Sequence, residues 1–493
     1  MTVQPLRKLV LIVVVCTLCG CAAGSAQGPY QATGIKIGEV TDETAIVWTR
    51  LTSRAERIGT AGQMPEVRYR DPETGKLLAS RQGRPDRTPQ VSFPPGAAIH
   101  TIEGAVPGES GQVRVLYRAS GESRWKDTGW HSVEPEREYT CQLRLTHLTP
   151  NTEYRVRVES REKEGGNEGQ VVSGRFRTAP LSNQPKRVIF TVSTGQAYPD
   201  QDAAGGGFKI YAAMLKLNPD FFVHTGDILY YDKLAKTLPL ARWHWQRMYS
   251  LPTNVEFHRQ VNSYFIKDDH DTWMNDCWPG METEFMGNFT FAQGQAVFLE
   301  QVPMGEKTYR TFRWGKDLQI WLVEGRDFRS PNTMPDGPRK TIWGEKQKAW
   351  FKQSVRQSDA TFRILISPTP LVGPDRTNKK DNHANRGFTH EGNELREFIA
   401  QQKDMVVICG DRHWQYVSVD KDTSVREYSC GPASNKHAGG WSNEQRFPEH
   451  RYLNVIGGFL AVCVDRTEDK PNITFTHYGV DGDVLNKDHL ATR

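Results

Sequence analysis

From residue 188 onward the chain keeps returning to one arrangement, a short apolar run followed by a stretch with helical spacing. Val188-Ile-Phe-Thr-Val192 reads as a buried strand, residues 208–217 carry apolar side chains at helical intervals, and Phe221-Phe-Val223 is a second strand. Strand, helix, strand is the signature of an α/β domain. The pattern continues through Phe265-Ile266, Leu318-Gln-Ile-Trp-Leu-Val323, a helix over 345–356, Phe362-Arg-Ile-Leu-Ile366, a helix over 391–401 and Met405-Val-Val-Ile-Cys409. Strand character returns at 459–464 and 473–478.

Before this block the period is different. Residues 38–50, Cys141-Gln-Leu-Arg-Leu145 and Leu148-Thr-Pro-Asn-Thr-Glu-Tyr-Arg-Val-Arg-Val158 alternate apolar and polar positions, and Gly174-Arg-Phe-Arg-Thr-Ala-Pro180 closes the series. Strands with turn signals and no helical stripe predict a β-sandwich. The stretch 148–158 resembles the tyrosine-containing corner of fibronectin type III domains. Residues 52–135 are longer and more polar than such a module needs, which predicts an insertion of extra hairpins. Leu181-Ser-Asn-Gln-Pro-Lys186 reads as a linker. At 493 residues the chain exceeds one ordinary domain. The expected layout is a leader over 1–27, an all-β sandwich over 30–180 and a second domain over 186–493.

The leader has its own logic. Arg7-Lys8 precede the apolar run Leu9 to Val15, then Leu18-Cys-Gly-Cys21-Ala-Ala. A charged start, a short apolar core and small residues make a signal peptide rather than a membrane span. Leu18-Cys19-Gly20-Cys21 resembles a bacterial lipobox, with Cys21 as the lipidated residue; an ordinary cleaved signal peptide is the alternative. The mature protein is therefore expected to be exported, periplasmic or at the cell surface, with a lipid on Cys21 as its only membrane attachment. A net charge of +5 is small for this length and carries no nucleic-acid footprint. The five cysteines beyond Cys21 are widely spaced, form no disulfide framework, leave room for a single bridge and include no CxxC pair that would bind zinc.

The chemistry gathers where apolar strands end. Phe221-Phe-Val-His-Thr is followed by Gly226-Asp227-Ile-Leu-Tyr230, Phe265-Ile266 by Lys267-Asp268-Asp269-His270-Asp271, Leu322-Val323 by Glu324-Gly-Arg326-Asp-Phe-Arg329, and Val406 to Cys409 by Gly410-Asp411-Arg-His413. In open α/β sheets the carboxyl ends of the strands converge on one crevice, so residues distant in sequence share a site. Asp and His in such a cluster suit a dinuclear metal hydrolase. Asp227 would bridge two ions, and a phenolate from Tyr230 would favour a ferric ion. Arg326 and Arg329 would bind phosphate oxygens with two donors each.

In this order, the four clusters are similar to the motifs of the alkaline phosphatase D (PhoD-like) family of calcineurin-like metallophosphoesterases, over about residues 30–490. The resemblance implies a calcineurin-like β-sandwich flanked by helices, preceded by a fibronectin-III-like sandwich. It implies two metal ions, Fe(III) with Ca(II) or another divalent ion, and hydrolysis of phosphate mono- or diesters by a metal-bound hydroxide. Asp227 would bridge, Tyr230 would bind iron, Asp269 the second metal, and Asp411 and His413 one metal each. His270 would stabilise the phosphoryl transition state or protonate the leaving group.

The chain departs from that family in one place, and in a second place from the wider calcineurin-like group, where alkaline phosphatase D relatives also tend to depart. Ser193-Thr194-Gly195-Gln196 stands where the family places an iron-binding cysteine; Gln196, Asp200 and Asp202 are the candidates to replace it. Ser367-Pro-Thr-Pro370 stands where many calcineurin-like enzymes carry a histidine. The rival reading is a surface-anchored binding protein whose metallophosphatase domain has lost turnover.

Overall fold

The structure, a computed structural model, describes residues 28–59, 63–79 and 87–492. The leader and Cys21 lie outside the described residues. The segments expected as buried strands build two sheets that pack face to face. At the centre of the first, nine-stranded sheet run the parallel strands Val188–Ser193, Phe221–His224 and Ser263–Phe265. The second, seven-stranded sheet is centred on Leu318–Leu322, Phe362–Ser367, Met405–Cys409 and Arg426–Cys430, also parallel to one another.

Side chains alternate along a strand, and both faces of these strands are covered, which is why the sequence is apolar without interruption. Phe221 and Val223 point between the sheets, where they share a core with Ile320, Ile364 and Ile408 of the opposite sheet. Phe221 stacks there on Phe190, with ring centroids 4.6 Å apart. Phe222 points the other way, into a core with Met214, Trp245, Phe257 and Val297. Those residues belong to the helices Lys209–Lys216, Leu238–Tyr249, Pro252–His258 and Phe291–Gln301. The helices Gly344–Gln357 and Thr389–Ala400 cover the far side of the second sheet through Phe351, Val355, Leu395 and Phe398. The expected sandwich flanked by helices is formed.

The helices Leu238–Tyr249, Pro252–His258 and Phe291–Gln301 are not among those expected from the sequence. Leu238–Tyr249 buries Leu240, Ala241, Trp243, His244, Trp245, Arg247, Met248 and Tyr249. A helix enclosed on nearly every side has no polar stripe to reveal its period. Phe291–Gln301 did carry a mark: Thr290 and Gln293 form a capping box at its start.

The N-terminal block is all β. Its strands Ile35–Gly38, Ala45–Arg50 and Thr140–Leu145 extend the nine-stranded sheet, with Gly38 beside Ser263 in parallel register. A Cβ at Gly38 would lie 2.6 Å from the Ser263 carbonyl oxygen, so only glycine lets the strands approach this closely. Ile35, Val47 and Leu143 pack against Val115, Tyr154, Val156 and Phe176 of a five-stranded sheet. Within the 148–158 stretch, the Tyr154 hydroxyl accepts the Thr149 backbone N–H at 2.8 Å. The extra hairpins expected in 52–135 include a three-stranded sheet built from Glu66–Arg70, Leu77–Leu78 and Thr88–Ser92. The five described cysteines are free thiols, so no disulfide forms among the described residues. Among those residues, too, no helix is long and apolar enough to cross a membrane.

Candidate metal centre

The parallel strands of the two sheets release their loops on a common edge, and the expected clusters meet there. Gly226 has φ +105°, and a Cβ on it would lie 2.6 Å from the Asp268 Cβ, so the glycine admits the 268–271 loop. The next residue, Asp227, has φ +53°, and Asp411 has φ +63°. Left-handed backbone at a residue other than glycine costs about 1–3 kcal/mol and persists only where the surroundings hold it. The segment 193–196 provides that hold. The Gln196 N–H donates to the Asp227 carbonyl at 2.9 Å, the Gly195 N–H to the Gly226 carbonyl at 3.2 Å, and the Asp411 N–H to the Thr194 hydroxyl at 3.3 Å. Asp271 joins the other two loops by accepting the N–H groups of Asp268, at 2.6 Å, and Ile228, at 3.2 Å.

Asp227 is shared by two groups of donors. Ligand atoms of Asp227, Asp269 and His270 all lie within 4.8 Å of one another, and so do those of Asp227, Asp268 and Asp411. The Tyr230 hydroxyl is 3.3 Å from an Asp227 oxygen and 3.3 Å from His413 Nε2, which lies 3.8 Å from the same carboxylate. All of the expected ligands, Asp227, Tyr230, Asp269, Asp411 and His413, are thus gathered, and Asp268 stands with them.

The two arginines are placed differently. Arg326 is wholly buried beneath the cluster; its Nε donates to Asp268 at 2.5 Å, and Nη2 lies 3.7 Å from Asp269. Arg329 donates to Asn332 at 2.7 Å and to the Asp381 carbonyl at 2.6 Å.

Burial of so many carboxylates has an electrostatic cost. Burial pushes Asp227 and Asp411 each up to about 7, against the pull of His270 on the first and Arg412 on the second. Asp268 is also raised by burial, despite Arg326. Asp269 is held low because Arg326 and His270 together outweigh its burial. Burial, and then the Asp227 carboxylate, keep Tyr230 protonated far above the usual phenol range. His413 is pushed down to about 3 by burial and then by His270, which leaves it neutral with a free lone pair.

This donor set fits a cation. Asp227 Oδ1 and Asp268 Oδ2 are buried and accept no hydrogen bond from the protein, and a buried acceptor without a partner costs about 1–3 kcal/mol. A positive ion at this point would satisfy both oxygens, relieve the mutual repulsion of the carboxylates, and favour the phenolate form of Tyr230.

Asp232, for which the sequence suggested no role, accepts a hydrogen bond from His270 Nδ1 at 2.5 Å through one oxygen, and the Asn275 N–H at 2.8 Å through the other. Asp232, followed by Asp269, outweighs the burial of His270 and keeps its imidazole protonated well above the normal range. Of the candidates to replace a thiolate near Gly195, Gln196 accepts from the Tyr211 hydroxyl at 2.7 Å, and Asp202 caps a helix through the Lys209 N–H at 2.9 Å. Asp200 instead accepts His437 Nδ1 at 2.8 Å. His437, seven residues beyond the strand Arg426–Cys430, carried no signal in the sequence. At the missing-histidine position, the Ser367 hydroxyl donates to the Thr369 carbonyl at 2.7 Å and closes a turn.

A model of the PhoD-like phosphatase family matches residues 190–451, more than half of the chain. Among solved structures, one of PhoD superposes with a TM-score of 0.69 at 16% identity, covering 95% of this chain and 90% of the other. The purple acid phosphatase PPD1 from yellow lupin (Lupinus luteus) seeds superposes with a TM-score of 0.56 at 13% identity, covering 93% of this chain and 74% of its own. At such identities the likeness establishes the fold. No curated protein matches the sequence.

Proposed function

Because the chain belongs to the PhoD-like phosphatase family and is therefore a phosphate ester hydrolase, we propose that its chemistry is run by two metal ions held around Asp227. The observation that carries this reading is Asp227 itself: it is common to both donor groups, and its buried Oδ1 has no hydrogen-bond partner. When bound, two such ions activate water and neutralise phosphoryl oxygens in an in-line displacement. Tyr230 and His413 suit iron on one side of Asp227. Asp269, in one of the two donor groups, and Asp268 with Asp411, in the other, offer only oxygen, which suits calcium or another hard divalent ion. Arg326, enclosed beneath Asp268 and Asp269, orients those carboxylates. His270, kept protonated by Asp232, holds a proton at Nε2 for the leaving oxygen.

A cavity of about 710 Å³ opens beside Tyr230 and His270 and is lined in part by Tyr198, Leu229, Leu234 and Met248. Its volume lies in the range of small-molecule sites. This supports esters with a bulky leaving group, in monoester or diester form. The test is chelation followed by the return of iron and calcium, singly and together, with p-nitrophenyl phosphate and bis(p-nitrophenyl) phosphate as substrates. Hydrolysis is expected to disappear on chelation and to return in full only with both ions. A metal-free protein with undiminished rate would refute the reading.

Export belongs to the same proposal and rests on Arg7-Lys8, the apolar run after them and Cys21. Fractionation of cells carrying the Cys21→Ser chain checks the anchor. The wild type is expected with the membranes and the variant in the soluble exported fraction; equal partition of the two would refute a lipid on Cys21.

A further inference from the structure

We propose that His437, oriented by Asp200, is a metal ligand that completes the donor set of Asp227, Tyr230 and His413. The inference rests on the two-metal reading above and adds a residue to it. Its first support is distance. His437 Nε2 is 2.7 Å from the Tyr230 hydroxyl, which is itself 3.3 Å from both Asp227 and His413 Nε2. Donors bound at about 2.1 Å to one ion stand about 3.0–3.4 Å from each other, so these spacings match the edges of a coordination shell. The rings of His413 and His437 lie side by side, with centroids 4.2 Å apart.

The tautomer is set for the same purpose. His437 Nδ1 faces an Asp200 oxygen at 2.8 Å, so the Nδ1 proton goes to the carboxylate and the Nε2 lone pair faces Tyr230. Metal-bound histidines usually donate their other N–H to a carboxylate in this way, which fixes the ring and raises its basicity. In this geometry the phenol proton lies between Tyr230 and His437. A bound cation would take the place of that proton and release it to solvent.

The backbone delivers His437 to this spot through several independent ties. The Ala433 N–H donates to the Gly195 carbonyl at 3.1 Å, and the Gly458 N–H to the Pro432 carbonyl at 2.8 Å. The Gly457 N–H reaches the Asn435 side chain at 3.0 Å, and Lys436 Nζ the Gln201 carbonyl at 2.7 Å. Gly195, at φ +52°, lies directly beside both rings: a Cβ there would stand in ordinary contact with them, 3.4 Å from the His437 ring and 3.5 Å from the His413 ring. No thiolate stands in Ser193-Thr194-Gly195-Gln196, and Gln196 is engaged with Tyr211. Without His437, that side of Asp227 has three protein donors, Asp227, Tyr230 and His413; with it there are four.

The experiment loads the wild-type, His437→Ala and Asp200→Asn chains with iron and calcium, desalts them, and counts each metal per chain by elemental analysis. The visible absorption of an iron–phenolate pair is recorded beside circular dichroism. The wild type is expected to hold both metals and show the band. His437→Ala is expected to lose more than half of its iron, with the band lost or shifted and restored by added imidazole, while calcium stays. Asp200→Asn, which keeps an acceptor for Nδ1 without the charge, is expected to weaken iron binding about 10–100-fold, and it decides the matter should His437→Ala fail to fold. Variants with full iron and an unshifted band would overturn the proposal and leave His437 as a hydrogen-bond partner of the phenol. A wild type that takes up no metal would instead overturn the two-metal reading, and this inference with it.

Discussion

Asp227→Asn is expected to cut hydrolysis of p-nitrophenyl phosphate by at least about 10³-fold, the loss of several kcal/mol of transition-state stabilisation from paired ions. The expectation follows from its position. Asp227 alone is common to both donor groups, and it contacts Tyr230 and His413 as well. An amide keeps the shape but removes the negative charge that both ions need, so elemental analysis should show less metal per chain.

The same substitution should act oppositely on the metal-free fold. Burial raises Asp227 to about 7, above the roughly 3.9 of an unfolded aspartate. An acid whose pKa is raised by folding destabilises the fold progressively as pH rises from the unfolded value to the folded one, and by a constant amount above it. Stripped of metal, Asp227→Asn is therefore expected to melt above the stripped wild type at pH 8 and level with it near pH 4. Retention of the wild-type rate and metal content by the variant would remove Asp227 from the centre.

His270→Ala is expected to lower kcat by about 10²–10⁴-fold for an alkyl phosphate, the range for loss of a positioned general acid. For p-nitrophenyl phosphate the fall should be much smaller, because p-nitrophenolate leaves without a proton. Asp232 holds Nδ1 at 2.5 Å and is itself fixed by the Asn275 N–H. As a general acid His270 carries a proton at Nε2 rather than an ion, so in that role the variant should keep both ions. Metal lost together with activity would make His270 a ligand, a role that its proximity to Asp227 and Asp269 also permits. An equal fall for both esters would assign the ring to charge stabilisation rather than proton donation.

Much of this centre is legible before folding because its residues follow strands at short range. Asp227 stands three residues past Phe221–His224, and Asp411 two past Met405–Cys409. An apolar strand that ends in Gly-Asp announces both its burial and its polar end. The helix Leu238–Tyr249 was illegible for the converse reason, since burial on nearly every side erases the period that marks a surface helix. Asp232 was in view as a residue but not as a partner, because nothing local says that the 268–271 loop lies across it.

The apolar runs by themselves determined the two-layer strand core, and the residues placed directly after them determined the carboxylates, phenol and imidazole of the candidate centre. Both are properties of short segments, set by side-chain alternation and by strand ends that open on one edge. Only the tertiary structure decided which side chains meet across loops: Arg326 beneath Asp268, Asp232 behind His270, and His437 between Asp200 and Tyr230. Those pairings span 58, 38 and more than 200 residues. Chain connectivity carries no information over such separations, and the face-to-face packing of the two sheets supplies it.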